Sequence, residues 1–329
     1  NLSVSGGTDK LRYLVSGNAF LQDGIIKNND FKRYTLRVNL DQKFNRYLSG
    51  GINLTFSRQD HNSIAGGSGQ NEESGIIISA TQSSPIQPIR DENGEYTLNP
   101  DRSYMPNPVS LLDITNKSRR DRFLGSLYVE YKPIEDLTFK ATFGIDRNNQ
   151  KRKVYMPTTT LYGAKDNGHA DISQYDQNDY LFELTGSYNK TFNDIHRLDA
   201  VAGYSYQKFN REGFNAGNSN FLTDALLYNS IGMGQYVKPW VGSTAGNDEM
   251  ASVFARVNYA FKGRYLLTAT VRADGCSYFA KGHQWGYFPS VALAWRFADE
   301  EFLESTRSWL SNGKLRASWG QTGNSSIGY

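Results

Sequence analysis

The chain is poor in the residues that build metal and redox chemistry. Its 329 residues include 1 cysteine, Cys276, and 4 histidines, His61, His169, His196 and His283. One thiol excludes an internal disulfide framework and a thiolate cluster. Four scattered imidazoles leave little for a metal site, and no cofactor is expected. Long apolar runs are missing too: no stretch approaches the roughly 18 consecutive apolar residues of a membrane helix, and mean hydropathy is negative. A surplus of either charge is absent, with Lys+Arg 36 against Asp+Glu 33 and no basic block, so nucleic acid is not an expected partner. Apolar residues make up 38%, low for a chain that must fill a deep core. An initiator Met and a signal peptide are also lacking, and the chain reads as cut from something longer at both ends.

What is abundant points elsewhere. Aromatics reach 13%, with 21 Tyr and 18 Phe, and argue against wholesale disorder; Gly stands at 31. The dominant pattern is period-two alternation. Tyr34, Leu36, Val38, Leu40 and Phe44 alternate with Thr35, Arg37, Asn39, Asp41 and Lys43, and the pattern resumes after Asn45-Arg46 from Leu48 to Ser57. Successive strand side chains point to opposite faces, so each segment has one apolar and one polar face. The same hairpin recurs at 123–146, 182–206, 251–273 and 285–319, and with 2–7 and 11–21 about twelve strands are expected.

The connections alternate as well. Short turns fall at 8–10, 45–46, 133–136, 193–194 and 262–264, and long loops are expected at 22–30, 59–120, 147–178, 208–250 and 274–284. Short turns on one side and long loops on the other are the habit of outer-membrane barrels. On the short-turn side the exception is 297–312, where Asp299 is expected to cap a brief helix carrying Phe302 and Leu303. Soluble strands average about 5–6 residues, whereas tilted membrane strands need about 9–11, and these segments run to the longer figure. Aromatics sit where two interfacial girdles require them, such as Phe44, Tyr131 and Trp295 near the short turns and Tyr34, Phe56 and Phe123 near the long loops. A soluble antiparallel sheet also alternates. It does not explain charges such as Arg37, Asp41, Glu130, Lys140, Arg256 and Arg272 spread along full-length strands, which a wide polar lumen does.

Four blocks carry a resemblance. They are Ser5-Gly6-Gly7-Thr8-Asp9-Lys10 with Tyr13-Leu14-Val15-Ser16-Gly17; 23–34, from Asp23-Gly24 to Arg33-Tyr34; Tyr265 to Gly275 with Trp285-Gly286-Tyr287-Phe288-Pro289 through Trp295; and Lys314 to Asn324 around Trp319-Gly320-Gln321-Thr322-Gly323. Together they span the chain, which resembles the SusC/RagA family of TonB-dependent outer-membrane transporters. The resemblance implies an all-β antiparallel transmembrane β-barrel of about 22 strands, of which 1–329 is a central part. Signal peptide, N-terminal extension, TonB box, plug and remaining strands would lie outside it. It further implies import of glycans or oligopeptides across the outer membrane of Bacteroidota, a SusD-like surface lipoprotein as lid, energy from TonB–ExbB–ExbD, and no enzyme activity. A generic TonB-dependent siderophore receptor, a large porin and a soluble surface glycan-binding β protein are the alternatives. The family usually has Ser or another small residue where this chain has Cys276.

Other motifs are weak. Asp91-Glu92-Asn93-Gly94-Glu95 lacks the spacing of a calcium loop and is read as an Asn-Gly turn, as is Asp166-Asn167-Gly168. Gly66-Gly67-Ser68-Gly69 lacks the Lys-Ser/Thr of a phosphate loop and is read as a loop tip. Candidate ligand or lid contacts are the aromatics expected outside the membrane strands: Tyr96, Tyr104, Tyr155, Tyr162, Tyr236 and Trp240. Flat rings with polar edges suit sugars and peptide side chains. Packing of the loops against one another is the competing role.

Overall fold

A computed structural model describes residues 1–64, 75–100, 102–306 and 308–324; the Gly66–Gly69 loop tip lies outside them. Twelve strands form: β1 Leu2–Gly7, β2 Leu11–Asp23, β3 Asp30–Lys43, β4 Leu48–Asn62, β5 Thr115–Ile134, β6 Leu137–Met156, β7 His169–Phe192, β8 His196–Ser219, β9 Trp240–Phe261, β10 Tyr265–Cys276, β11 Trp285–Trp295 and β12 Leu315–Gly320. They make one antiparallel sheet in sequence order, with β1 and β12 at its two edges. Two short helices, α1 Ile76–Gln82 and α2 Leu161–Lys165, lie in the connections. Among the described residues no helix is long and apolar enough to cross a membrane, which says nothing of strands.

Register explains the sequence pattern. Because directly opposed residues share a face, one row runs Tyr13, Leu40, Ile52, Leu127, Phe143, Phe182, Tyr206, Ala251, Gly275, Trp285. The adjacent row, on the other face, runs Arg12, Asp41, Gly51, Tyr128, Thr142, Glu183, Ser205, Ser252, Asp274. The first face is what lipid requires; the second is a polar lumen. Lumen charges are partnered along it. The Tyr128 hydroxyl donates to Asp41 at 2.5 Å, Lys140 meets Glu130 at 3.1 Å, and Arg272 meets Asp274 at 2.7 Å. On the lipid face Phe56 and Phe123 stack at 4.7 Å, at the level expected of the upper aromatic girdle.

The tight hairpins use left-handed residues, as two-residue turns matching the strand twist demand. Asn193 and Asp194 sit at φ 52 and 60, and Lys262 and Gly263 at φ 52 and 65. Two expectations about connections need correction. The loops expected at 147–178 and 208–250 are mostly strand: β5 and β6 run 20 residues, β7 and β8 24, and β9 22. Nor does Asp299 cap a helix. It ends a 3-10 segment, Phe297–Asp299, and pairs with Arg296 at 2.9 Å, while a second 3-10 segment spans Glu301–Thr306.

Buried apolar clusters are small and sit above the membrane zone. Leu111 and Ile114 gather Ile76, Met156 and Tyr162 on the lumen side of β6. Tyr155, Ala170 and Phe221 gather Leu227, Tyr228 and Ile231 on the opposite side. Residues 75–100 and 102–114 therefore fold over the inner wall, and 220–236 over the outer one.

Candidate binding mouth

The strand extensions carry both faces of the wall past the aromatic girdle, so the mouth is built on rigid backbone rather than on free loops. Trp240, the first residue of β9, is on the inner face opposite Gly217. Its ring stacks on His169 at 4.7 Å and 24°, and its Nε1–H donates to Asp171 Oδ2 at 3.2 Å. A Cβ on Gly217 would overlap the indole, so glycine is what lets the ring lie flat on the wall. The result is a half-buried aromatic plate with a fixed orientation, rimmed by an imidazole and a carboxylate. Such a plate offers an aromatic edge to a sugar ring or a side chain and acceptors beside it.

The other aromatics divide by role. Tyr155 is fully buried, and its hydroxyl donates to Asp224 Oδ1 at 2.7 Å. Asp224 also accepts from the backbone N–H and the hydroxyl of Thr158, at 3.0 and 2.6 Å. Burial first, and the Asp224 hydrogen bond second, push the Tyr155 phenol well above its ordinary pKa. Tyr162 packs on Leu111 and Ile114. Tyr96 donates to Asp113 at 2.9 Å beneath the Arg90 guanidinium, 3.9 Å from its ring; burial and Asp113 raise its pKa. These three rings pack the connections together. Tyr104 and Tyr236 are exposed. The six rings do not converge on one pocket.

Sequence reasoning did not single out His169, Asp171, Asp113 or Asp224. Extending the alternation of β7 back from Phe182 would have put His169 and Asp171 on the polar face, beside Trp240. The Asp91–Glu95 segment is the Asn-Gly turn expected of it: Gly94 has φ +82, and Asp91 Oδ1 accepts from the N–H of Asn93 and Glu95, both at 2.9 Å. Asp166-Asn167-Gly168 is also a turn, with Asn167 and Gly168 at φ 50 and 85, but it joins a helix to a strand. It closes α2, with Gly168 N–H donating to Gly163 O at 2.8 Å. Cys276 is buried at the end of β10, opposite Met250.

A sheet with one lipid face, one polar face, and strands long enough to span and overshoot a bilayer is the wall of a transmembrane β-barrel. The family model for the TonB dependent receptor-like β-barrel matches residues 85–329. The chain is 35% identical to TonB-dependent receptor P3 of Formosa agariphila over 99% of its length, which is 33% of that relative. It is 29% identical to TonB-dependent receptor SusC of Bacteroides thetaiotaomicron over all of its length and 34% of SusC. The solved RagAB peptide transporter superposes with TM-score 0.82 at 25% identity, covering 99% of this chain and 37% of that one. The ferric citrate transporter FecA, at TM-score 0.55 and 10% identity over 95% of this chain and 44% of its own, shares the fold alone.

The chain belongs to the TonB-dependent receptor β-barrel family, in its SusC/RagA group, and lies in the outer membrane of a Gram-negative bacterium. It spans about a third of the length of the curated relatives it matches.

Proposed function

We propose that this chain is the central wall of a barrel of about 22 strands that imports a large polar nutrient, a glycan or an oligopeptide, across the outer membrane. In this reading a SusD-like lipoprotein covers the mouth, TonB–ExbB–ExbD supplies energy, and the cargo undergoes no covalent chemistry. The observation that carries it is the wide, charge-lined lumen face joined to a likeness to the RagAB peptide transporter along nearly the whole chain. The likeness to siderophore receptors is of fold alone, which favours the larger cargo. Tyr236 and Trp240 are the residues at the mouth assigned to ligand or lid.

The test uses the full-length protein in its native membrane, fed labelled oligosaccharides and oligopeptides. Uptake of one class should stop when TonB is deleted; uptake that persists would indicate a passive porin. Joint substitution Tyr236→Ala and Trp240→Ala should weaken lid assembly or cargo binding by at least about 1 kcal/mol, roughly fivefold. Unchanged uptake and unchanged complex assembly would remove both residues from the site.

A further inference from the structure

Above the aromatic girdle the outer wall carries an arrangement that isolated sheets avoid. On the face continuous with Leu127, Gly125 and Phe123, Lys117 of β5 stands directly opposite Lys153 of β6, and Arg119 directly opposite Lys151. Like charges at opposed positions have Cβ atoms about 5 Å apart and destabilise the pair. Asp60 of β4 relieves one corner, meeting Arg119 at 2.7 Å. The Lys153 ammonium lies 5.0 Å from the Tyr228 ring centroid. Among the described residues no carboxylate pairs with Lys117, Lys151 or Lys153. Below the block the rung Asp121–Asn149 intervenes, with Asp121 paired to Arg58 at 2.7 Å, and Arg147, exposed and opposite Phe123, adds a further cation at the girdle.

We propose that this four-cation block binds the phosphate groups of outer-leaflet lipid, with the acyl chains running down the apolar face below it. Three observations favour lipid over a soluble anion. The block is on the face that meets the bilayer. A further cation, Arg147, stands below it at the girdle, where headgroups lie. Beneath it β5 carries half-buried Phe123 and exposed Leu127 and Val129 in line with the cations. Multivalent phosphate contacts suit clustered ammonium and guanidinium groups and resolve the repulsion between opposed pairs. The inference rests on the outward direction of this face but not on import, so transport assays and lipid assays fail separately.

The full-length protein in phosphatidylcholine nanodiscs should retain diphosphorylated lipid A, in a salt-sensitive manner, and not its dephosphorylated form. The combined variant Lys117→Gln, Lys151→Gln, Lys153→Gln should lower retention roughly tenfold or more, with uptake unchanged. Lys208→Gln, on the same face but paired with Glu249 at 3.3 Å, should bind as the unmodified protein does. If the triple variant does not assemble, amine-reactive footprinting of the unmodified protein decides, with lipid A expected to shield these three lysines. Equal retention of dephosphorylated lipid, displacement by dilute inorganic phosphate, or unshielded lysines would each overturn the proposal.

Discussion

Val38 sits between Val15 and Leu54 across the two ladders of β3, while Asn39 faces Asn53 from the other side. An arginine at 38 must enter hydrocarbon, whereas one at 39 enters the lumen. Val38→Arg should therefore cost about 2–4 kcal/mol of barrel stability, and Asn39→Arg close to nothing, measured by denaturant titration in liposomes. Equal costs would reverse the faces. Tyr155 offers a second single-residue test. Tyr155→Phe removes the donor to Asp224 and should cost about 1–3 kcal/mol of local stability, read as faster hydrogen exchange across 220–236. The same contact has a pH signature. Its phenol is raised above the ordinary value, so the folded segment holds the proton more tightly than the unfolded one. Its contribution is complete below about pH 10 and is lost as pH rises toward the folded value. Tyr155→Phe should abolish that alkaline step.

Among the connecting elements, the short-turn segment after β11 is held by one acid that alternation did not reveal. Glu300 is nearly enclosed; it accepts from the Trp295 indole at 2.8 Å and pairs with Arg264 at 3.0 Å. The Tyr265 hydroxyl first, then Trp295 and Arg264, hold its carboxyl below the usual carboxylate range. A depressed value means the stabilisation is present at neutral pH and is lost as pH falls through the folded value. Exchange protection in 297–306, taken relative to the intrinsic amide rate, should fall below about pH 4, and Glu300→Gln should remove it at every pH. The strands within the bilayer were legible because lipid enforces alternation: Tyr34 to Phe44 and Leu48 to Ser57 carry their faces in plain view. Above the girdle that pressure ends. Arg147 to Lys153 is polar on both faces, so the period-two signal vanishes while the backbone ladder, its register already set below, continues to Tyr155. For that reason Tyr155 and Trp240 read as loop residues and are strand residues. Glu300 was hidden for a different cause, since its partners come from two distant places in the chain, Arg264-Tyr265 at the start of β10 and Trp295 at the end of β11.

Taken whole, the sheet leaves β1 and β12 as free edges, with Leu2, Val4, Leu315 and Trp319 exposed beside them. Unpaired strand edges are untenable in hydrocarbon. These 329 residues refolded alone should self-associate in detergent; a monodisperse monomer by sedimentation would show that the wall closes by itself. The overshooting strands set a further property of the molecule. β7 and β8 have 24 residues each, of which a bilayer uses about 9–11. The girdle rung of Phe123 and Arg147 meets β7 at Asn178, so at about 3.3 Å per residue and a tilt near 40° the stretch from His169 to that rung lifts the rim roughly 20 Å above the girdle. At that height the surrounding medium is the cell's own carbohydrate coat rather than lipid. The collar thus works as a standoff: it holds the aperture clear of the crowded membrane surface and decides at what depth in the coat a passing polymer is first met.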